Sequence, residues 1–279
     1  MSSSVDRAAV HRADADWVSD QWRARGRVLR LTADGTTTMT PSLLLDLVDA
    51  QGAEPPREAL LLGVDADGAY FAVRTAGPLP GARGLREVGA LLPDRDAGLL
   101  TTAVALDGWH AVHTHCPRCG TATQVESAGW VRRCPTDGSA HFPRTDPAVI
   151  ALVTSPDGRR ALLGRQPSWP PRRYSCLAGF VEPGESAEHA VVREVAEESG
   201  VAVREVRAAG SQPWPFPASL MLAFTAVADD DADAPDPHPA DDELEDVRWV
   251  TRAEARREVL LPPPVSIAHR LIAAWLGGS

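Results

Sequence analysis

The chain has 279 residues and carries an excess of acidic side chains, with a formal net charge of -10. Hydrophobic residues make up 44% of the sequence and charged residues 24%, as in ordinary soluble globular proteins. The length is sufficient for two domains, or for one domain and a small module. The acidic balance argues against non-specific nucleic-acid binding through a basic surface, so an anionic substrate would need a metal ion or a local arginine cluster.

The hydropathy pattern excludes an integral membrane protein, because no apolar run approaches the roughly 20 residues that span a bilayer. The first residues, "MSSSVDRAAVHRADADW", lack the apolar core of a signal peptide. Four cysteines are present, three of them clustered, which is typical of a metal site in a reducing compartment rather than of a disulfide framework. We therefore expect a cytoplasmic protein.

Residues 1–110 carry no functional motif, but their pattern predicts an N-terminal α/β domain. The segment "PSLLLDLVDA" is consistent with a short helix or a buried strand. The segment "EALLLGVDADGAYFAV" predicts two strands joined at Asp67-Gly68, a common hairpin dipeptide. "GLREVGALLPDRDAGLLTTAVALDGWHAVH" predicts helices that are interrupted at proline and glycine.

Residues 111–145 contain the cysteine cluster and predict a zinc ribbon. Cys116 and Cys119 form a C-x2-C knuckle, and after fourteen intervening residues Cys134 falls where a third ligand belongs. Asp137 replaces the second cysteine of the repeated knuckle and is our expected fourth ligand. A zinc ion bound here would be structural, since a catalytic zinc keeps an open position and uses more histidine.

The fourth zinc ligand has alternatives, which are His141, His113 and His115. A ribbon that keeps its shape but binds zinc weakly, or not at all, is a further alternative. Cys176 is remote from the cluster and is expected to be a small buried apolar residue.

Residues 146–279 predict a third domain of mixed strands and helices. "TDPAVIALVTSPDGRRALLGRQ" predicts a strand, a turn and a second strand, and "SAEHAVVREVAEESG" predicts a helix that ends at Gly200. "SLMLAFTAVA" and "EDVRWV" predict strands, and "SIAHRLIAAWL" an amphipathic helix. The acidic low-complexity segment "DDDADAPDPHPADD" is expected to be a mobile loop.

The helix predicted within "GFVEPGESAEHAVVREVAEESGV" has an unusual acidic face. Glu194, Glu197 and Glu198 stand at i, i+3 and i+4, so their carboxylates share one side of the helix. Like charges this close cost stability, and Mg²⁺ or Mn²⁺ would relieve the repulsion. A solvated acidic face is the alternative for the helix alone. The loop from Gly179 to Glu185 precedes the helix and can direct backbone groups into the same site.

The same stretch resembles the Nudix box, G-x5-E-x7-R-E-U-x-E-E-x-G-U, where U is aliphatic, at every fixed position. The resemblance implies an α+β chain with a Nudix α/β/α sandwich, and metal-dependent hydrolysis of nucleoside diphosphates linked to another group. It implies that Glu185 and Arg193 orient the metal-binding carboxylates. It implies catalytic roles for Glu197 or Glu198, as base or bridging ligand. The implied ligands of Mg²⁺ or Mn²⁺ are the carbonyl of Ala178 and the side chains of Glu194, Glu197, Glu198 and Glu243.

Glu243 is chosen from an acidic segment that contains ten Asp and Glu residues between Asp229 and Asp246. The segment "DELEDVRW" resembles the part of the family that supplies a further metal ligand, and counting back six residues from Trp249 selects Glu243. Glu245 is a close competitor.

The segment "SQPWPFPAS" resembles the motif of the NADH pyrophosphatase branch of this family, as do the upstream ribbon and the phrases "HFPRTDPAVI" and "LPPPVSIAHRLI". This resemblance covers roughly residues 113–279. It implies hydrolysis of NADH and NAD⁺ to AMP and nicotinamide mononucleotide, with NAD-capped RNA as a second substrate. The implied substrate-binding residues are Phe142, Phe180, Gln212, Pro213, Trp214, Pro215, Phe216, Pro217, Ala218, Ser219 and Ala268.

The aromatic residues of the motif have two interpretations. Prolines reduce the backbone freedom that is lost on binding, so Trp214 and Phe216 could present rigid rings to a nucleotide base on a stiff loop. Alternatively, both rings are core anchors. The resemblance also implies that Phe180 and Phe142 sandwich a base, with Phe142 supplied by the partner subunit of a homodimer.

Two further points follow from the resemblance. Gly129 stands where some family members place a glutamate near the substrate, which leaves that one contact in doubt. A non-enzymatic nucleotide sensor is the rival function, but a sensor could lose the carboxylates that this sequence keeps.

Overall fold

The computed structural model describes residues 5–229, 237–239 and 243–278. It divides into two compact units: the first comprises Met1–Thr145 with Trp214–Ala218, and the second Asp146–Pro213 with Ser219–Ser279. Within the described ranges, no helix combines the length and apolar character needed to cross a bilayer. Most of the predicted mobile loop, residues 230–236 and 240–242, lies outside the described residues.

The first unit consists of a four-stranded mixed sheet, a two-stranded sheet, three helices and a three-stranded ribbon sheet. Its elements are α1 (Ala15–Arg25), β1 (Gly26–Leu31), β2 (Thr36–Thr37), β3 (Leu47–Asp49), β4 (Leu60–Val64), β5 (Ala69–Arg74), β6 (Arg83–Gly84), α2 (Leu85–Val88), α3 (Asp94–Val112), β7 (Gln124–Glu126), a 3-10 turn (Ser127–Gly129), β8 (Val131–Arg133) and β9 (Ala140–His141).

The four-stranded sheet has the order β3-β1-β5-β4, with β1 and β5 parallel. The predicted hairpin is confirmed as β4 and β5, which pair antiparallel. Its turn is held by Asp65, whose Oδ1 accepts the backbone N–H groups of Asp67 at 2.8 Å and Gly68 at 3.1 Å. The helices predicted after it are confirmed as α2 and α3. In "PSLLLDLVDA" only Leu47–Asp49 forms a strand, and Leu43 adopts a φ of 58°, which breaks regular structure before it.

The turn before β8 is unusual because Ser127, Ala128 and Gly129 all have positive φ, at 50°, 49° and 91°. The indole N–H of Trp130 donates to the carbonyl of Leu61, with Nε1 and the oxygen 2.8 Å apart. A Cβ at Gly129 would lie 2.5 Å from Cδ2 of Leu60. A side chain at this position would therefore need Leu60 to shift and would also hold a strained positive φ.

The second unit is built on a six-stranded mixed sheet with the path β13-β14-β10-β11-β15, and β12 pairs with β10. Its elements are β10 (Asp146–Thr154), β11 (Arg160–Arg165), β12 (Leu177–Phe180), α4 (Ala187–Ser199), β13 (Val203–Trp214), β14 (Ser219–Ala228), β15 (Asp246–Thr251), α5 (Arg252–Arg257) and α6 (Ile267–Gly277).

Alternation along β10 produces the two cores of this unit. Val149, Ala151 and Val153 pack on the side of α4, whereas Ile150 and Leu152 pack on the side of α6. The helices thus cover both faces of the sheet, as the expected α/β/α sandwich requires. Every strand and helix predicted in this region is present, and α4 ends with Gly200 in the left-handed conformation at φ 71°.

The proline-rich segment differs from the stiff loop that the sequence predicts. β13 runs through Ser211, Gln212 and Pro213 to Trp214, and only the turn between Trp214 and Ser219 is irregular. A proline at Pro213 is compatible with this because β13 lies at the edge of the sheet, where a backbone N–H need not be paired.

Gly129→Ala is expected to destabilise the first unit strongly, because it combines a positive φ with a clash against Leu60. Gly81→Ala is the matched control: its φ is 72°, but an added Cβ would meet no atom within 4 Å. We expect Gly129→Ala to lose about 1–3 kcal/mol more unfolding free energy than Gly81→Ala in urea titrations. Equal losses in the two variants would show that the close approach to Leu60 is unimportant.

Candidate active site

The loop and helix of the Nudix-like segment bring its acidic residues together at one end of β12. Ser186 caps α4 by accepting the backbone N–H of His189 at 3.2 Å, which fixes where the helix begins. Glu194, Glu197 and Glu198 follow on the face predicted for them. Their exposures differ: the side chains of Glu194 and Glu197 are 14% and 57% exposed, and Glu198 is buried.

Arg193 organises this face, and all five of its N–H donors are used. It forms a bidentate pair with Glu185, at 3.0 Å through Nε and 2.9 Å through Nη2. Nη1 donates to Glu194 and to Glu197, each at 2.9 Å, and Nη2 also donates to the carbonyl of Phe180 at 2.9 Å. Arg193 therefore holds the loop, the strand and the helix in one arrangement, and has no donor left for a ligand.

The charges around Arg193 shift two carboxyl pKa values in opposite directions. Its hydrogen bonds lower the pKa of Glu185. Burial raises the pKa of Glu194, and the charges of Glu197 and Glu243 raise it further although Arg193 opposes them. A buried carboxylate among like charges is the environment that a bound divalent cation would stabilise.

Glycine at position 179 makes room for this site. A Cβ there would lie 1.9 Å from Cδ of Glu194, inside the space that the carboxylate occupies. On the same strand, the backbone N–H of Ala178 donates to Oε2 of Glu198 at 3.2 Å. Hard oxygen donors against a glycine-lined strand fit Mg²⁺ or Mn²⁺ by their chemistry.

The two candidates for a further metal-binding carboxylate, Glu243 and Glu245, have different surroundings. Glu243 is exposed and close enough to Glu194 to influence its pKa. Glu245, the competitor, forms an ion pair with Arg165. The geometry thus favours Glu243, as the sequence predicts, although its role stays a prediction.

The ribbon forms a separate candidate metal centre in the first unit. One Sγ each from Cys116, Cys119 and Cys134, and a carboxylate oxygen of Asp137, all lie within 4.8 Å of one another. Within the part of the chain that the structure describes, no second group of metal-binding side chains converges so closely. The histidine alternatives are absent from this group.

The two knuckles have the same backbone geometry, which explains why Asp137 joins the cysteines. Gly120 N–H donates to the Cys116 carbonyl at 2.9 Å, and Gly138 N–H donates to the Cys134 carbonyl at 3.0 Å. Asp137 therefore occupies in the second knuckle the place of Cys119 in the first. Hydrogen bonds from Ser139 hold the pKa of Asp137 well below its usual range, so it is a carboxylate.

The predicted substrate-binding residues fall into different environments. Phe142 in the first unit and Phe180 in the second are 66% and 57% exposed, so both rings are available to a ligand. Ala268 is buried in the core on the α6 side, so its side chain faces protein. Trp214 and Phe216 are half-buried, and Phe216 packs against the core of the first unit, as the anchor interpretation requires.

The remaining residues of the proline-rich motif are polar or small. Pro215 is buried, Pro217 is exposed, and Pro213, Ala218 and Ser219 are half-buried. Gln212 is buried, and both polar atoms of its amide contact the backbone of the second unit. Its Nε2 donates to the carbonyl of Val265 and its Oε1 accepts the N–H of Ile267, both at 2.6 Å. These two bonds connect the end of β13 to the start of α6.

Comparison with known proteins agrees with these features. The sequence-family model of the NUDIX domain matches residues 144–276. That of the NADH pyrophosphatase zinc ribbon domain matches residues 111–142. A NUDIX hydrolase structure from Nitrosomonas europaea has a TM-score of 0.44 and 23% identity, covering 58% of this chain and 88% of that one.

Curated relatives extend the likeness over the whole chain. The NAD-capped RNA hydrolase NudC of Mycobacterium bovis is 39% identical over 97% of this chain and 92% of its own length. The NAD-capped RNA hydrolase NUDT12 of Macaca fascicularis is 42% identical over 66% of this chain, and the match spans only 43% of that protein. The chain belongs to the Nudix hydrolase family, in the branch that carries the NADH pyrophosphatase zinc ribbon.

Proposed function

We propose that this protein hydrolyses the pyrophosphate bond of NADH and NAD⁺, releasing AMP and nicotinamide mononucleotide, in a reaction that depends on Mg²⁺ or Mn²⁺. The carboxylate face of α4, organised by Arg193, is the observation that carries the proposal. The names of the relatives described above, both NAD-capped RNA hydrolases, support NAD-capped RNA as a further substrate.

The chemistry assigns separate tasks to the residues of this face. Glu194, Glu197, Glu198 and Glu243, with the carbonyl of Ala178, would hold the divalent cations. Cations held there would lower the pKa of the attacking water and neutralise phosphate charge. Glu197 or Glu198 would act as the base that takes the proton of this water, or as a bridging ligand. The water oxygen would bond to phosphorus as the bond to the bridging oxygen breaks. Arg193 and Glu185 position these carboxylates and do not touch the substrate.

Recognition of the dinucleotide is assigned to exposed aromatic rings. Phe180 lies at the end of β12, the strand that borders the carboxylate face, so a base stacked on it would set the pyrophosphate near the cations. Phe142 would close the other side of the base from the partner subunit of a homodimer. The ribbon would hold a structural Zn²⁺, and we propose a cytoplasmic location.

Glu198→Gln is expected to lower turnover of NADH by orders of magnitude, because it removes a buried ligand charge while keeping the side-chain shape. Glu188→Gln, an exposed position in the first turn of the same helix, is the matched control and should retain activity. AMP release from NADH with Mn²⁺ measures both. Activity of Glu198→Gln within a few-fold of the native protein would contradict the assignment of this face.

Phe180→Ala should raise KM for NADH by an amount equivalent to about 1–3 kcal/mol of stacking. Because the ring is exposed, the melting temperature should hardly change. Phe180→Tyr keeps the ring and should restore the native KM. If both substitutions behave alike, stacking on this residue is not what binds the base.

Zinc analysis of protein purified without chelator should give about one ion per chain. Asp137→Ala should reduce zinc retention under mild chelation, whereas His141→Ala should not. Retention by Asp137→Ala together with loss in His141→Ala would transfer the fourth ligand to the histidine.

A further inference from the structure

Arg86, at the second position of α2, packs on both aromatic rings of the proline-rich motif within the first unit. Its Cζ lies 4.0 Å from the centroid of the Phe216 ring and 5.1 Å from that of Trp214. The two rings contact each other edge to face, with centroids 5.1 Å apart and planes at 74°. The guanidinium therefore covers a ring face of each, which is a favourable cation–π arrangement.

The packing leaves the polar atoms of Arg86 unused. Among the residues that the structure describes, neither the Arg86 side chain nor the indole N–H of Trp214 makes a hydrogen bond or an ion pair. A guanidinium that lies over a ring can still direct its in-plane N–H groups toward another group. Within the described ranges the guanidinium and the indole N–H thus have no protein acceptor, and the exposed Arg86 can donate to a group from solvent.

No acidic side chain in the described part of the chain pairs with Arg86. Glu87, its neighbour in sequence, is paired with Arg83, whose Nε lies 2.7 Å from Oε1 of the glutamate. Arg86 is exposed, and desolvation over the rings lowers its pKa. Its charge is therefore accessible to an anion from outside the chain.

The position of Arg86 also limits what the aromatic pair can do. The covered ring faces are not available for stacking with a nucleotide base. The rings instead fix the orientation of the cation, because the turn around Pro215 and Pro217 restricts their backbone.

We propose that Arg86 and the indole N–H of Trp214 form a binding site for a phosphate group of the RNA chain in an NAD-capped substrate. A planar arginine fork suits phosphate, and a phosphodiester repeats at short intervals along single-stranded RNA. The RNA assignment rests on the proposed function, whereas the phosphate chemistry rests on the contacts of Arg86 alone.

A binding experiment tests the site without relying on catalysis. The probe is a 5′-monophosphate RNA oligonucleotide of about ten nucleotides, a length within the single-strand site sizes of known binders. Its affinity for the full chain is measured by fluorescence anisotropy over a range of salt concentrations. Arg86→Gln should bind several-fold more weakly at low salt, with the slope of log K against log salt reduced by about 0.7. Arg83→Gln, which removes the same charge from an existing ion pair, should change affinity less than twofold.

A second variant, Arg86→Lys, and the KM for NADH complete the test. Arg86→Lys keeps the charge but loses the planar fork, so it should retain the salt slope but bind RNA more weakly than the native protein. This variant also tests the site if Arg86→Gln proves unstable. Arg86→Gln could also raise the KM for NADH, by the same factor by which it lowers the affinity for RNA. That result would show that Arg86 binds a phosphate of the dinucleotide, and it would overturn the RNA site. Native RNA affinity in Arg86→Gln, or an equal loss in Arg83→Gln, would also overturn the proposal. Failure of the chain to release AMP from NADH would instead contradict the proposed function.

Discussion

The arrangement of the candidate active site depends on one side chain, Arg193, and its pairing with three glutamates and a carbonyl. Three carboxylates on one turn of a helix repel one another, and a fixed cation between two of them reduces that cost. The same guanidinium ties the preceding loop, through Glu185, and the strand, through Phe180, to the helix. Because its donors are exhausted by these contacts, Arg193 holds the site together and is not available to the proposed pyrophosphate substrate.

The proline-rich motif contributes to both compact units by different means. Gln212 behaves as a two-point clamp on the backbone at Val265 and Ile267, which is a structural task inside the second unit. Trp214 and Phe216 belong to the first unit, where they support Arg86. A motif that looks like a recognition loop in sequence is therefore, in the fold, a strand end followed by a short turn.

The carboxylate face and the ribbon could be predicted from short-range spacing, namely helical periodicity and knuckle geometry. The sandwich was instead implied by the resemblance of residues 179–201 to the Nudix box. Asp137 could be chosen over the histidines because it occupies the place of Cys119 in a repeated turn. The use of Gln212 could not be predicted, since its partners are more than fifty residues away. The contacts of Arg86 could not be predicted for the same reason. The sequence does not show that this arginine packs on two rings that are distant along the chain.

The account depends on the acidic face being a cation site rather than a solvated surface, and Mn²⁺ binding measures this directly. Electron paramagnetic resonance of free Mn²⁺ can be followed as protein is added, for the native chain and for a chain with both Glu197→Gln and Glu198→Gln. The account predicts that the native protein removes Mn²⁺ from solution and that the doubly substituted protein, although folded, does not. Equal Mn²⁺ binding by the two proteins would contradict it.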